Sequence, residues 1–218
     1  MTQFSLIRLL CFAAVGLLAT CRQNAPTGHN NVLIYFSPLP AVDTLLVEVT
    51  DSSDDSAVGD TIPNGVFFGS IPPALLEEID YLADSSQALV LGRNHFAMSD
   101  DVEAYWVEIR QFWFRHHALL LYHKSRKAFT DRITLAEWYG GEGGQVLIGS
   151  WVFDFDGDGK KDILRRDIQH SMVPNSDTLQ ERTAESVSLL LWKNGQFTIT
   201  PVRDTAALIR MFPIRTLW

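Results

Sequence analysis

Between residues 104 and 202 the sequence falls into short segments rich in β-branched, leucine and aromatic side chains, each closed by a turn signal. The clearest is the last pair, 186–192 and 196–202, joined by Lys193-Asn194-Gly195. Asn-Gly tolerates the positive φ angles of a type I′ turn and therefore predicts a tight hairpin. Segments this short, joined this closely, pair with their sequence neighbours. The pattern predicts a mainly β fold: an antiparallel sheet or sandwich built from hairpins, with one or two short helices.

The expected strands are 104–110, 117–123, 129–138, 145–155 and 163–170, with a turn at Ser125 and Arg126, a glycine-rich loop at 139–144 and a loop at 172–181. Segment 104–110 satisfies two periods. Tyr105, Val107 and Ile109 alternate as in a strand, while Val102, Trp106, Ile109 and Trp113 fit helical spacing. Its aromatic and β-branched content favours strand. Upstream, 32–36, 41–49 and 88–91 have strand composition, and 51–60 is a polar loop. Pro72 and Pro73 precede a short helix at 74–82, with Leu75, Leu76, Ile79 and Leu82 on one face. A final helix is expected near 205–211.

Residues 1–20 carry one charge, Arg8, and then an apolar run from 9 to 19, the layout of a cleaved export signal. The run is about half the roughly 20 residues needed to span a bilayer. Leu18-Ala19-Thr20-Cys21 resembles the lipobox of bacterial lipoproteins, in which the cysteine receives the lipid. That resemblance implies a mature chain starting at an acylated Cys21 and held at a membrane by its acyl chains. Arg22 stands where an aspartate commonly retains such proteins at the inner membrane, so the resemblance favours the outer membrane. The polar residues 21–31 read as a flexible tether and 32–218 as one globular domain.

Of the two cysteines, Cys11 leaves with the signal and Cys21 is acylated, which leaves the domain without a disulfide. Charge is unevenly spread: residues 23–92 contain ten acids and no lysine or arginine. An acidic half argues against nucleic-acid binding, which needs cations to neutralise phosphates.

One loop carries readable chemistry. Asp154, Asp156, Asp158 and Asp162 occupy positions 1, 3, 5 and 9 of a loop, with Gly159 at position 6 and Lys160 offering its carbonyl. Calcium takes 6 to 8 oxygen ligands, and this spacing lets a chain curl around one ion. Position 12 is Arg165, not the glutamate of an EF-hand. The loop resembles the DxDGDGxxD loops of FG-GAP/VCBS-type repeats, which implies calcium binding between strands and an extracellular structural role. Val152 to Gly157 also resembles the first motif of haloacid-dehalogenase-type phosphatases, but Asp158 and Gly159 stand where those enzymes have threonine and an apolar residue.

Other signals are weaker. His116 and His117 are adjacent, and neighbours on a strand face opposite sides, so they do not readily chelate one ion. Glu137 and Asp131, before the glycine-rich loop, and Glu142, within it, offer the carboxylates that an envelope hydrolase acting on glycans would need. Trp106, Phe112, Trp113 and Phe114 supply either core packing or a platform for a sugar or protein. The leading expectation is a calcium-stabilised envelope lipoprotein that binds a protein or glycan partner or serves as an accessory module. The alternative is the glycan-directed hydrolase.

Overall fold

The structure is a computed structural model that describes residues 31–49, 59–77, 79, 82, 84–141, 143–175 and 178–217. The export signal, Cys21 and all of the tether except Asn31 lie outside them, as do most of the acidic loop and Glu142. Residues from Asn31 to Trp218 form a compact unit of their own.

That unit is mainly β, as expected. Its strands are β1 (Ser37–Pro38), β2 (Thr44–Val47), β3 (Asp60–Ile62), β4 (Leu89–Ala97), β5 (Val102–Gln111), β6 (Phe114–His123), β7 (Ala128–Gly141), β8 (Gly144–Phe153), β9 (Asp162–Asn175), β10 (Thr178–Lys193) and β11 (Gln196–Thr200). Three short helices join them: α1 (Asn64–Ser70), α2 (Pro73–Leu76) and α3 (Thr205–Met211). Strands β4 to β11 run as an antiparallel meander. The sheet is mixed rather than purely antiparallel, because β1 pairs in parallel with Asn94 and His95 of β4. Hairpin connections alternate between two ends of the meander. The β4–β5, β6–β7, β8–β9 and β10–β11 turns lie at one end, and the β5–β6, β7–β8 and β9–β10 turns at the other.

Strands β5 and β6 are covered on both faces, which explains the double period of residues 102–113. On one face Tyr105, Val107, Ile109, Ala118 and Leu120 pack with Val32, Phe36, Phe67 and Ile71 from the N-terminal segment. On the other, Ala104, Leu119 and Leu121 pack with Val47, Val152, Ile163, Leu190 and Trp192. A strand buried on both sides loses its polar alternation.

The sheet reaches back over itself through a split at β8. Residues Gly144 to Ile148 pair with β7, but Ser150 to Phe153 pair with β2. The first half of β7 stays with β6, and β2 fills the space it leaves.

Several segments differ from their sequence pattern, among them the helix expected at 74–82, which is a single turn ending at Leu76. Residues 32–36, expected as strand, wind into a 3-10 turn (Val32–Tyr35), because the Asn31 side chain accepts the Leu33 N–H at 3.2 Å and draws the chain round. Of residues 172–181, expected as loop, 172–175 continue β9 and 178–181 begin β10 as a two-stranded ribbon, with Met172 opposite Glu181 and Pro174 opposite Leu179. Strand β8 ends its pairing at Ser171, so beyond that point the ribbon pairs only with itself and its polar composition resembles a loop. Helix α1 was not expected. Its sequence, NGVFFGS, is a poor helix former, and tertiary contacts hold it: Phe67 is wholly buried, and the Asn64 amide donates to the Ser85 and Ala88 carbonyls at 2.8 and 2.9 Å.

The C-terminal segment lies across β8 and β9. Gly149 makes room for it, since a Cβ there would stand 2.9 Å from Ile214 Cγ2. Buried Arg166 is the clamp: its Nε donates to Glu185 at 2.6 Å and its Nη1 to the Ile209 and Phe212 carbonyls at 3.3 and 2.9 Å. Replacing it, Arg166→Ala, should destabilise the domain by about 2 to 3 kcal/mol, because it strands two carbonyls and a carboxylate. Trypsin should then cut first at Arg210 or Arg215. Parental melting and cleavage rates would show that Arg166 does not hold this segment.

Candidate functional site

The aspartate-rich loop spans 154–161 between β8 and β9, closed at its base by the pair Phe153 and Asp162. Gly157 and Gly159 have φ of 77° and 80°, the left-handed region that glycine enters without steric cost. The loop wraps the Asp154 carboxylate. Oδ1 accepts the N–H groups of Gly157 and Asp158 at 2.8 and 3.1 Å, and Oδ2 accepts that of Gly159 at 2.8 Å.

Asp162 ties the loop to the sheet. It is buried, and it accepts the Phe155 N–H at 2.9 Å and the Trp192 N–H of β10 at 2.8 Å. Burial pushes its pKa up, and the nearby Asp156 charge adds to this against those two donors. A carboxylate held this way gains from a cation more than a hydrated one does.

Asp154, Asp156 and Asp162 each place an oxygen within 4.8 Å of the others, an acidic triad that could hold a metal ion. Asp158, the fourth expected carboxylate, is engaged differently: it accepts the Lys160 N–H at 2.9 Å and the Lys193 ammonium at 3.0 Å. Those contacts hold its pKa low. Lys160 belongs to the turn, while Lys161 reaches across to the carbonyls of Val42 and Asp43 at 2.9 and 3.4 Å.

Lys193 is the participant that the sequence pattern did not reveal. Its ammonium lies 2.5 Å from Asp156 and 3.0 Å from Asp158, and both contacts push its pKa up. A register argument would have found it: Leu190 faces Ile163, so the end of β10 lies beside the loop that enters β9.

Of the three hydrolase carboxylates, Glu142 lies outside the described residues, and the other two do not converge. Glu137 is buried with its Oε2 2.5 Å from His116 Nδ1, and Asp131 is exposed and accepts the Thr130 hydroxyl. Six residues of strand separate them by roughly 20 Å, beyond the roughly 9.5 Å reach of a glycosidase pair.

His116 and His117 point into different surroundings. His116 meets Glu137 and lies 3.3 Å from Arg132. His117 accepts the Trp106 indole N–H at 3.2 Å and lies 3.9 Å from Glu108. Glu108 is itself buried, bonded to Arg93 Nε at 2.9 Å and Arg110 Nε at 2.5 Å. Burial works against its carboxylate, but His117, Arg110 and Arg93 outweigh it and hold the pKa low. Of the aromatic residues considered for a platform, Phe114 is buried and Trp106 half-buried, while Phe112 and Trp113 are exposed.

Two outcomes follow. Lys193→Met should tighten divalent-cation binding severalfold, by removing the ammonium that shares Asp156, while lowering stability in chelator; equal affinity by calorimetry would show that Lys193 does not compete. Burial pushes His117 down to about 4, so the folded state keeps it neutral while the unfolded chain protonates near the ordinary 6.5. Stability is therefore complete above about 6.5 and falls as pH drops toward 4, by roughly 3 kcal/mol at full titration. His117→Gln should flatten urea melts across that window, and an unchanged pH slope would exclude His117 as the cause. Comparison of the chain with family models, curated proteins and solved structures gives no match, so the reading rests on the residues themselves.

Proposed function

We propose that this protein is a bacterial envelope lipoprotein, anchored through Cys21, whose β domain holds a calcium ion at the β8–β9 loop and acts as a binding or accessory module. The observation that carries the reading is the acidic triad, with Asp154, Asp156 and Asp162 oxygens within 4.8 Å on a loop pinned at Asp162 to β10.

Calcium is the ion the chemistry favours. The donors are hard oxygens, the loop is exposed on one side so that water completes the shell, and calcium accepts irregular coordination that magnesium resists. Arg165 lies three residues into β9 and supplies no bidentate carboxylate. Affinity therefore belongs with extracellular modules, about 10⁻⁴ to 10⁻³ M. The ion's task is structural: it neutralises clustered carboxylates and locks the entry to β9, in a domain that has no cysteine after Cys21.

The lipid anchor is supported by the apolar run ending in Leu18-Ala19-Thr20-Cys21 and by Arg22, which favours the outer membrane. Placement at a membrane leaves a protein or glycan as the partner class.

Calcium at ten times its Kd should raise stability by about 1.4 kcal/mol over chelator, and Asp156→Ala should abolish the gain. Overlapping melting curves with calcium and chelator, together with no heat of binding, would exclude the site. Labelled palmitate should enter the native chain and not Cys21→Ala; equal labelling of the two would exclude lipidation at Cys21.

A further inference from the structure

Asn-Gly and Asp-Gly are the dipeptides at which a polypeptide most readily reacts with itself. Glycine sets no side chain in the way of its own backbone nitrogen, which can attack the preceding side-chain carbonyl and close a five-membered ring. The chain has four of them: Asn64-Gly65, Asp156-Gly157, Asp158-Gly159 and Asn194-Gly195. Their sequences alone do not separate the two asparagines. The fold does.

Three of the four are guarded. Asn64 opens helix α1, and its amide nitrogen donates to the carbonyls of Ser85, Ser86 and Ala88 at 2.8, 3.3 and 2.9 Å. Those bonds hold the group that would leave, and turning the backbone at Asn64 would disturb Phe67, which is wholly buried. At the two Asp-Gly pairs the attacking nitrogens are held instead. The Gly157 N–H donates to Asp154 Oδ1 and the Gly159 N–H to Asp154 Oδ2, both at 2.8 Å. A proton bonded to a carboxylate is harder to remove. Asp156 and Asp158 are also paired with the Lys193 ammonium, and an ionised carboxylate is a poor electrophile.

Among the described residues none holds the Asn194 amide or the Gly195 N–H, because the β10–β11 ladder ends at Lys193 opposite Gln196. Both residues are exposed, and the space where a Gly195 Cβ would stand is open. Ring closure needs rotation about the Asn194 backbone. Little resists it: β11 is five residues long and is the terminal strand of the sheet. Opening the tip of such a hairpin costs less than unwinding a packed helical turn.

We propose that Asn194 is a self-modification site, at which the folded protein converts its own asparagine to aspartate and isoaspartate while Asn64 persists. The Gly195 nitrogen bonds to Asn194 Cγ, the Cγ–Nδ2 bond breaks, and Nδ2 departs as ammonia carrying the Gly195 amide proton. Water then opens the cyclic imide at one of its two carbonyls. Opening at Cγ leaves aspartate, and opening at the main-chain carbonyl leaves isoaspartate, with the backbone running through Cγ. Water is the only co-reactant. Either product places a carboxylate on the residue next to Lys193, whose ammonium holds Asp156 and Asp158. Isoaspartate also adds one carbon to the main chain of a turn that closes over two ordinary residues. The modification therefore bears on the aspartate-rich loop as well as on its own hairpin, and it requires neither a lipid anchor nor a bound ion.

The folded protein is aged in mildly alkaline buffer beside the same chain unfolded in guanidinium, and both are mapped with an acid protease and mass spectrometry. In the folded protein Asn194 should convert at least about tenfold faster than Asn64, and isoaspartate should form there before it forms at Asp156 or Asp158. In guanidinium the two asparagines should convert at rates within about threefold of each other, because only the fold distinguishes them. Asn194→Gly keeps a pair that fits the left-handed turn, so it should fold and should lose most of the ammonia release. Equal conversion of Asn64 and Asn194 in the folded protein, or conversion of Asn194 only after unfolding, overturns the proposal. So does undiminished ammonia release from Asn194→Gly.

Discussion

Burial of β5 and β6 on both faces is the constraint from which the rest of the architecture follows. A two-sided strand needs two partners, and the N-terminal helices supply one cover while the returning half of the sheet supplies the other. It also dictates the treatment of charge. Glu108, His116, His117 and Glu137 lie where water does not reach, so each must be matched within the protein. Glu108 is held by arginines from its own strand and from β4, and His116 by a carboxylate from β7. Replacing one partner alone leaves a buried charge, a costlier change than never having had the pair. The central hairpin is thus apolar in bulk and electrostatically keyed at a few points, which restricts how neighbouring strands can slide.

The aspartate loop inherits its geometry from the same rigidity. Asp162 is at once a member of the acidic triad and the first residue of β9, and one of its oxygens is fixed by the Trp192 N–H. With β9 held between β8 and β10, that carboxylate is fixed to the sheet, while the exposed residues of the loop close around Asp154. Lys193 provides a charge partner from the same hairpin system, so the acidic turn is partly compensated within the protein.

Much of this was legible in the residues because local chemistry carried it. The Asn194-Gly195 turn, the DxDGDGxxD spacing and the succession of short strands are short-range signals; the structure keeps the turn and the strands, and gathers three of the loop's four aspartates. What escaped was decided by distant contacts. Residues 32–36 look like a strand but are capped into a 3-10 turn by Asn31, and α1 exists because Phe67 is buried, not because NGVFFGS favours a helix. The 172–181 ribbon escaped for the opposite reason: with few neighbours it has no apolar face to betray its period. Lys193 and the Arg93–Glu108–Arg110 cluster require knowledge of which strands lie side by side, which composition does not contain.

The way β2 fills the split beside β8 sets an order of events for the polypeptide. Strands β4 to β11 each find a partner in the next segment of chain, so they can assemble as they emerge. Thr44 to Val47 must wait for Ser150 to Phe153, across most of the molecule, before their backbone groups are paired. Closing so long a loop is entropically slow. A chain synthesised amino terminus first therefore carries an unpaired apolar strand through most of its synthesis. The meander becomes a scaffold that is later sealed by the segment that arrived earliest.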